Sequence, residues 1–120
     1  MKRDIEIQQE NMNTLIRLMN ENPTLRVVPM VYSEVVKSDY YSWWLGEFGE
    51  VGIDECYSED ERIYFKSWDE EDLIQESIED FRYNYDLEHL SEESLEKLAK
   101  ARVDNFDWEK VIVIRIITPW

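Results

Sequence analysis

Residues Val111-Ile112-Val113-Ile114-Arg115-Ile116-Ile117 are β-branched and apolar at every position but one. Two heavy atoms on Cβ restrict χ1 and favour the pleated backbone. A run without polar alternation leaves neither face to water, so it predicts a strand inside a sheet rather than at its margin. The rest of the chain has to supply neighbours and cover for that strand.

Upstream patterns supply them. Ile5, Met12, Leu15, Ile16 and Met19 fall at helical spacing and Asn22-Pro23 stops the pattern, which predicts a first amphipathic helix over 4–21. Residues 25–32 read as a strand. Pro29 within it has no N–H to donate, which points to a sheet edge or an interruption. Residues 40–53 hold all three glycines, with aromatics flanking them, and suggest strand, turn or bulge, strand. Residues 53–57 continue extended, 58–61 make a turn, and 62–66 alternate as a further strand. Ser67 to Glu70 has the form of a capping box, opening a second helix whose inward stripe is Ile74, Ile78, Phe81 and Tyr85. Ser91 opens a third, with Leu95, Leu98, Ala99, Val103 and Phe106 inward. The expectation is one α+β domain over 1–120. It has a mostly antiparallel sheet of four or five strands, three helices, and the C-terminal strand central.

A length of 120 residues with 43% hydrophobic and 13% aromatic side chains suffices for one core. One cysteine (Cys56) and one histidine (His89) exclude an internal disulfide and a structural zinc site. The first residues lack the apolar run of a signal peptide, and no stretch approaches the roughly 20 apolar residues of a membrane span. A cytoplasmic protein without a membrane partner is expected.

The charge is -15, and its placement is uneven. Residues 1–37 balance five basic against five acidic side chains, and residues 91–120 carry five against six. Residues 38–90 carry three against seventeen, a net of -14. Such a field repels nucleic acid and attracts basic protein grooves, so direct nucleic-acid binding is not expected.

Motifs for catalysis are lacking. Gly46, Gly49 and Gly52 have neither the spacing nor the lysine of a phosphate loop. His89 reads as a surface or cap residue and Cys56 as a small core residue rather than as base or nucleophile. Asp54, Glu55, Glu59, Asp60 and Glu61 lack the alternating ligands, central Gly and distal Glu of a calcium loop. No cofactor, metal or enzymatic activity is expected.

Two features rise above this background. The first is the acidic surface of Asp54, Glu55, Glu59, Asp60, Glu61, Asp69, Glu70, Glu71, Asp72, Glu76, Glu79 and Asp80. It serves either solubility and helix capping or mimicry of a phosphate backbone. The second is the aromatic cluster around Trp43 and Trp44. Adjacent strand residues face opposite ways, so both are buried only if both sheet faces are covered. Core packing is the first reading of the pair, and an exposed interface anchor the second.

The segments 28–31, 41–46 (Tyr-Ser-Trp-Trp-Leu-Gly), 60–65 (Asp-Glu-Arg-Ile-Tyr-Phe) and 108–113 (Trp-Glu-Lys-Val-Ile-Val) together resemble a family of small acidic proteins of prophages and mobile elements of Gram-positive bacteria. The likeness covers residues 12–119 and transfers no active site. It implies a phage accessory protein, a class that includes inhibitors of CRISPR effector nucleases and restriction enzymes. The leading expectation is therefore an inhibitor that docks its acidic face on a basic nucleic-acid-binding host protein, such as an RNA-guided nuclease. The alternative is an accessory module that joins a larger assembly through its aromatic surface. Homodimerisation is left open.

Overall fold

The computed structural model describes residues 4–120. The elements follow the order α1 (Asp4–Glu21), β1 (Val27–Val31), a 3-10 turn (Ser33–Val35), β2 (Glu47–Glu59), β3 (Arg62–Phe65), α2 (Lys66–Asn84), α3 (Glu92–Asp104) and β4 (Glu109–Ile117). The four strands form one mixed sheet in the order β1-β4-β2-β3. This is an α+β fold with the C-terminal strand inside the sheet, as the β-branched run predicts. The antiparallel expectation holds for the β2–β3 hairpin, whereas β1 and β4 pair in parallel, Val28 opposite Val113.

Packing groups the chain into two compact units, where the sequence suggests one domain. One comprises the residues up to Asp54 with Lys110–Trp120, the other Glu55–Glu109. Strand β2 passes through both.

In the first unit β4 supplies Val111, Ile112, Val113 and Ile114, all buried, beside Val28 and Val35. Pro29 lies on the edge strand, and the ladder explains why it is harmless there. The amide of Tyr32 donates to Ile116, and Arg26 accepts from Ile112. Even-numbered residues of β1 therefore face β4, and Val27, Pro29 and Val31 face outward. The missing donor of Pro29 costs no ladder bond and leaves the open edge poor in donors, which discourages strand addition.

Two expectations for this unit are corrected. Residues 40–46 form no strand, and β2 is instead one thirteen-residue strand beginning at Glu47. Gly46 and Gly49 serve close approach rather than turning. A Cβ on Gly46 would lie 2.4 Å from Ile116 Cγ2, and one on Gly49 3.2 Å from the Arg115 carbonyl, whereas one on Gly52 would meet nothing within 4 Å. Gly46→Ala should therefore cost about 1–3 kcal/mol through overpacking against β4. Gly52→Ala should be neutral or gain up to about 1 kcal/mol by reducing unfolded-chain entropy. Equal effects of the two in chemical denaturation would contradict this assignment. The second correction concerns α1, whose buried residue is Leu18, with Met12 and Leu15 half-buried. Ile5, Ile16 and Met19 stay exposed. The apolar stripe was legible, but the helix turns its neighbouring face inward.

The second unit is built on α2 and α3. Leu73, Ile74, Ile78, Leu95, Ala99 and Val103 form its core, with Tyr64, Phe81, Phe106 and Trp108 packed against it. The Tyr57 and Phe106 rings stack with centroids 4.6 Å apart, and Trp108 Nε1 donates to the Val103 carbonyl at 2.8 Å. Leu98 and Tyr85, assigned inward from spacing, are exposed. Tyr85 is the residue after the last turn of α2, where the helical period no longer applies. Ser91 caps α3 as expected, accepting from the Ser94 amide. For α2 the cap differs. The helix starts at Lys66, one residue before Ser67, and Asp69 Oδ2 accepts from the Phe65 amide at 2.8 Å. The acidic side chain does the capping because it also neutralises the positive helix end.

Candidate functional site

The second unit carries nineteen acidic and six basic side chains, so it holds -13 of the total -15 and leaves -2 to the first unit. All six cations are engaged. Lys66 pairs with Glu55, Arg82 with Glu92, Lys97 with Glu93, Lys100 with Glu70 and Asp104, and Arg102 with Asp80. Arg62 lies over the Tyr64 ring, 4.4 Å from its centroid. Pairs this exposed contribute little to stability, about 0–1 kcal/mol each. Their consequence is to sort the carboxylates into those that are tied down and those that face water.

Asp69, Glu70 and Asp80 belong to the first group. Asp80 is half-buried and accepts from Arg102 Nη1 at 2.7 Å and from Asn84 Nδ2 at 2.6 Å. The Arg102 hydrogen bond, reinforced by that of Asn84, holds its carboxyl below the ordinary Asp value of 3.8. A folded-state value lowered in this way stabilises the protein above the ordinary value, and the contribution is lost as pH falls through the lowered one. Asp80→Asn should thus melt below the parent chain at neutral pH, with the gap closing in strong acid. A gap that stays constant with pH would mean the carboxylate charge is irrelevant there.

The second group lies along the outer face of α2. At 100° per residue, Asp72, Glu76 and Glu79 fall within a 60° arc opposite the side of buried Ile74 and Ser77 and half-buried Phe81, and all three acidic residues are exposed. Glu71 flanks them, exposed, and accepts from Gln75 Nε2 at 3.4 Å. Glu71 to Glu79 spans about 12 Å of helix axis at 1.5 Å per residue. Trp68 and Tyr83, both exposed, fall on the same stripe at either end. Tyr83 does not stand out in the sequence, although its spacing of four from Glu79 is the available signal. Between α2 and α3 lies an open depression of about 260 Å³ lined by Glu70, Glu71, Ile74, Gln75, Glu96 and Lys100. Three carboxylates around one ammonium leave the depression negatively charged, which attracts a cationic group.

The remaining acidic residues are dispersed. Glu59, Asp60 and Glu61 sit exposed at the β2–β3 turn, with Asp60 at a positive φ of 55° that Asp tolerates. Asp54 and Glu55 are half-buried on β2, Asp54 within the first unit. Cys56 is buried in β2, and His89 is exposed between α2 and α3.

Trp43 and Trp44 part company. Trp43 is 92% exposed, which corrects its reading as a core residue. Trp44 is half-buried, its ring edge-on to Tyr41 with centroids 5.5 Å apart. The strand rule fails because 40–46 is irregular chain. Among the described residues, no group of three or more His, Cys, Asp or Glu side chains is placed to hold a metal ion. No described helix is long and apolar enough to cross a membrane. Comparison with protein-family models, curated proteins and solved structures finds no match to this chain.

Proposed function

We propose that this chain acts without catalysis, as an acidic binding protein whose α2 face occupies the basic groove of a nucleic-acid-binding protein. The observation that carries the reading is the outer stripe of α2. Asp72, Glu76 and Glu79, with Glu71 beside them, face water in a unit whose six cations are all engaged elsewhere. Capping explains Asp69, and ion pairs with Lys100 and Arg102 explain Glu70 and Asp80, whereas none of these roles falls to Asp72, Glu76 or Glu79. A rigid helix holds the four charges at fixed spacing, so binding orders few side chains beyond the carboxylates themselves. Their field steers a cationic surface and mimics the phosphate contacts that dominate nucleic-acid affinity. The resemblance to phage accessory proteins suggests a host-defence protein as the target, an RNA-guided nuclease above all, and hence the bacterial cytoplasm as the place of action.

Immobilised protein should retain nucleic-acid-binding proteins from a Gram-positive lysate at low ionic strength. It should release most of them when the Debye length falls from about 10 Å to about 3 Å near 1 M salt. Retention that is indifferent to salt would overturn the acidic reading. It would favour the second one, assembly through an aromatic surface, for which the exposure of Trp43 speaks.

A further inference from the structure

The first unit ends in a surface that its own core does not use. β1 and β4 run parallel, so their C-terminal ends lie at the same end of the sheet, and the irregular chain of 36–46 starts there. Tyr40 and Trp43 are each 92% exposed, Trp120 77%, and Tyr41 and Leu45 are also largely exposed. Lys37 lies over the Trp120 ring, 5.3 Å from its centroid, tying the two chain segments into one surface. Scattered exposed apolar residues are ordinary, but two tryptophans and two tyrosines largely exposed on two segments that Lys37 joins are not.

We infer that this aromatic end is a homodimer interface and that its occupant is the same surface of a second copy. Area is the first argument. With roughly 150–250 Å² per aromatic side chain, the five exposed residues offer on the order of 700 Å², close to the about 800 Å² per partner of a standard interface. Charge is the second. Two chains of -15 repel each other wherever their acidic surfaces meet, but this unit carries only -2. The patch is also self-complementary. A two-fold axis brings residue i against j and j against i, so exposed Lys37 of one copy can meet exposed Asp39 of the other. A basic partner, by contrast, is steered to the unit with -13. Tyr and Trp are the residues that anchor such contacts, because they bury large area with few torsions to freeze.

The test is the solution mass of the full chain by light scattering across concentration, at low and at high salt. The expected result is twice the 14.6 kDa of the chain. The dimer should be strengthened by salt, which screens the residual repulsion and leaves aromatic burial intact. Tyr40→Ser/Trp43→Ser should be monomeric with an unchanged circular dichroism spectrum, both side chains being exposed in the folded unit. A parent chain that stays monomeric at about 100 µM, far above the micromolar Kd such an area supports, would overturn the inference. So would a dimer that survives the double substitution and is broken instead by Ile16→Glu on the exposed stripe of α1. Salt dependence opposite to that of partner capture separates this failure from failure of the acidic reading.

Discussion

Ile112→Ala should lower the free energy of unfolding by about 2–5 kcal/mol, a large part of the 5–15 kcal/mol typical of a domain. Ile112 is fully buried in β4, opposite Val27 of β1, on a strand whose next two residues and the one before are buried as well. Truncation removes three methyl or methylene carbons from a site with no freedom to collapse, because a neighbouring strand lies on either side. Ile117→Ala, at the far end of the same strand and 40% exposed, should cost less than about 1 kcal/mol. Urea denaturation at constant m measures both. Similar costs at the two positions would mean that β4 is not the interior strand on which the first unit is built.

The other large effect is on binding. Converting Glu71, Asp72, Glu76 and Glu79 to their amides should leave helix content unchanged and stability equal or slightly higher, since the variant relieves repulsion among like charges on one face. Captured nucleic-acid-binding proteins should no longer be retained at low salt. A matched variant of Glu59, Asp60 and Glu61 at the hairpin turn removes three charges from another place and should retain them. Loss in both variants alike would reduce the effect to net charge, whereas undiminished retention in the α2 variant would remove α2 from the interface.

Much of this architecture is written locally. The run from Val111 to Ile117 needs two flanking strands, and Pro29 needs an outward-facing position; both are found in the sheet order. Ser91 sits before α3 with the side-chain oxygen its cap requires. Parallel pairing of β1 with β4 is not legible, because register between partners 85 residues apart, such as Val27 and Ile112, depends on packing rather than on local pattern. The inward face of α1 is not legible for a related reason. Periodicity finds an apolar stripe, but tertiary contacts decide whether Leu18 or Ile16 is covered. Aromatic content makes Trp43 and Trp44 look like strand residues, and two of the glycines that suggest a turn, Gly46 and Gly49, instead admit β4 to close approach. At the acidic surface, composition located the charge but could not separate Asp80, clamped by Arg102, from Glu79 beside it.

In the proposed function the acidic face takes the place of a phosphate backbone. Competition tests it directly. A retained nucleic-acid-binding protein is bound to this chain, and DNA or RNA of its preferred kind is titrated in while both complexes are followed by fluorescence anisotropy. Mimicry predicts mutual exclusion, with the nucleic acid displacing the chain in proportion to its own affinity and no species containing all three. A stable ternary complex of chain, partner and nucleic acid would contradict it.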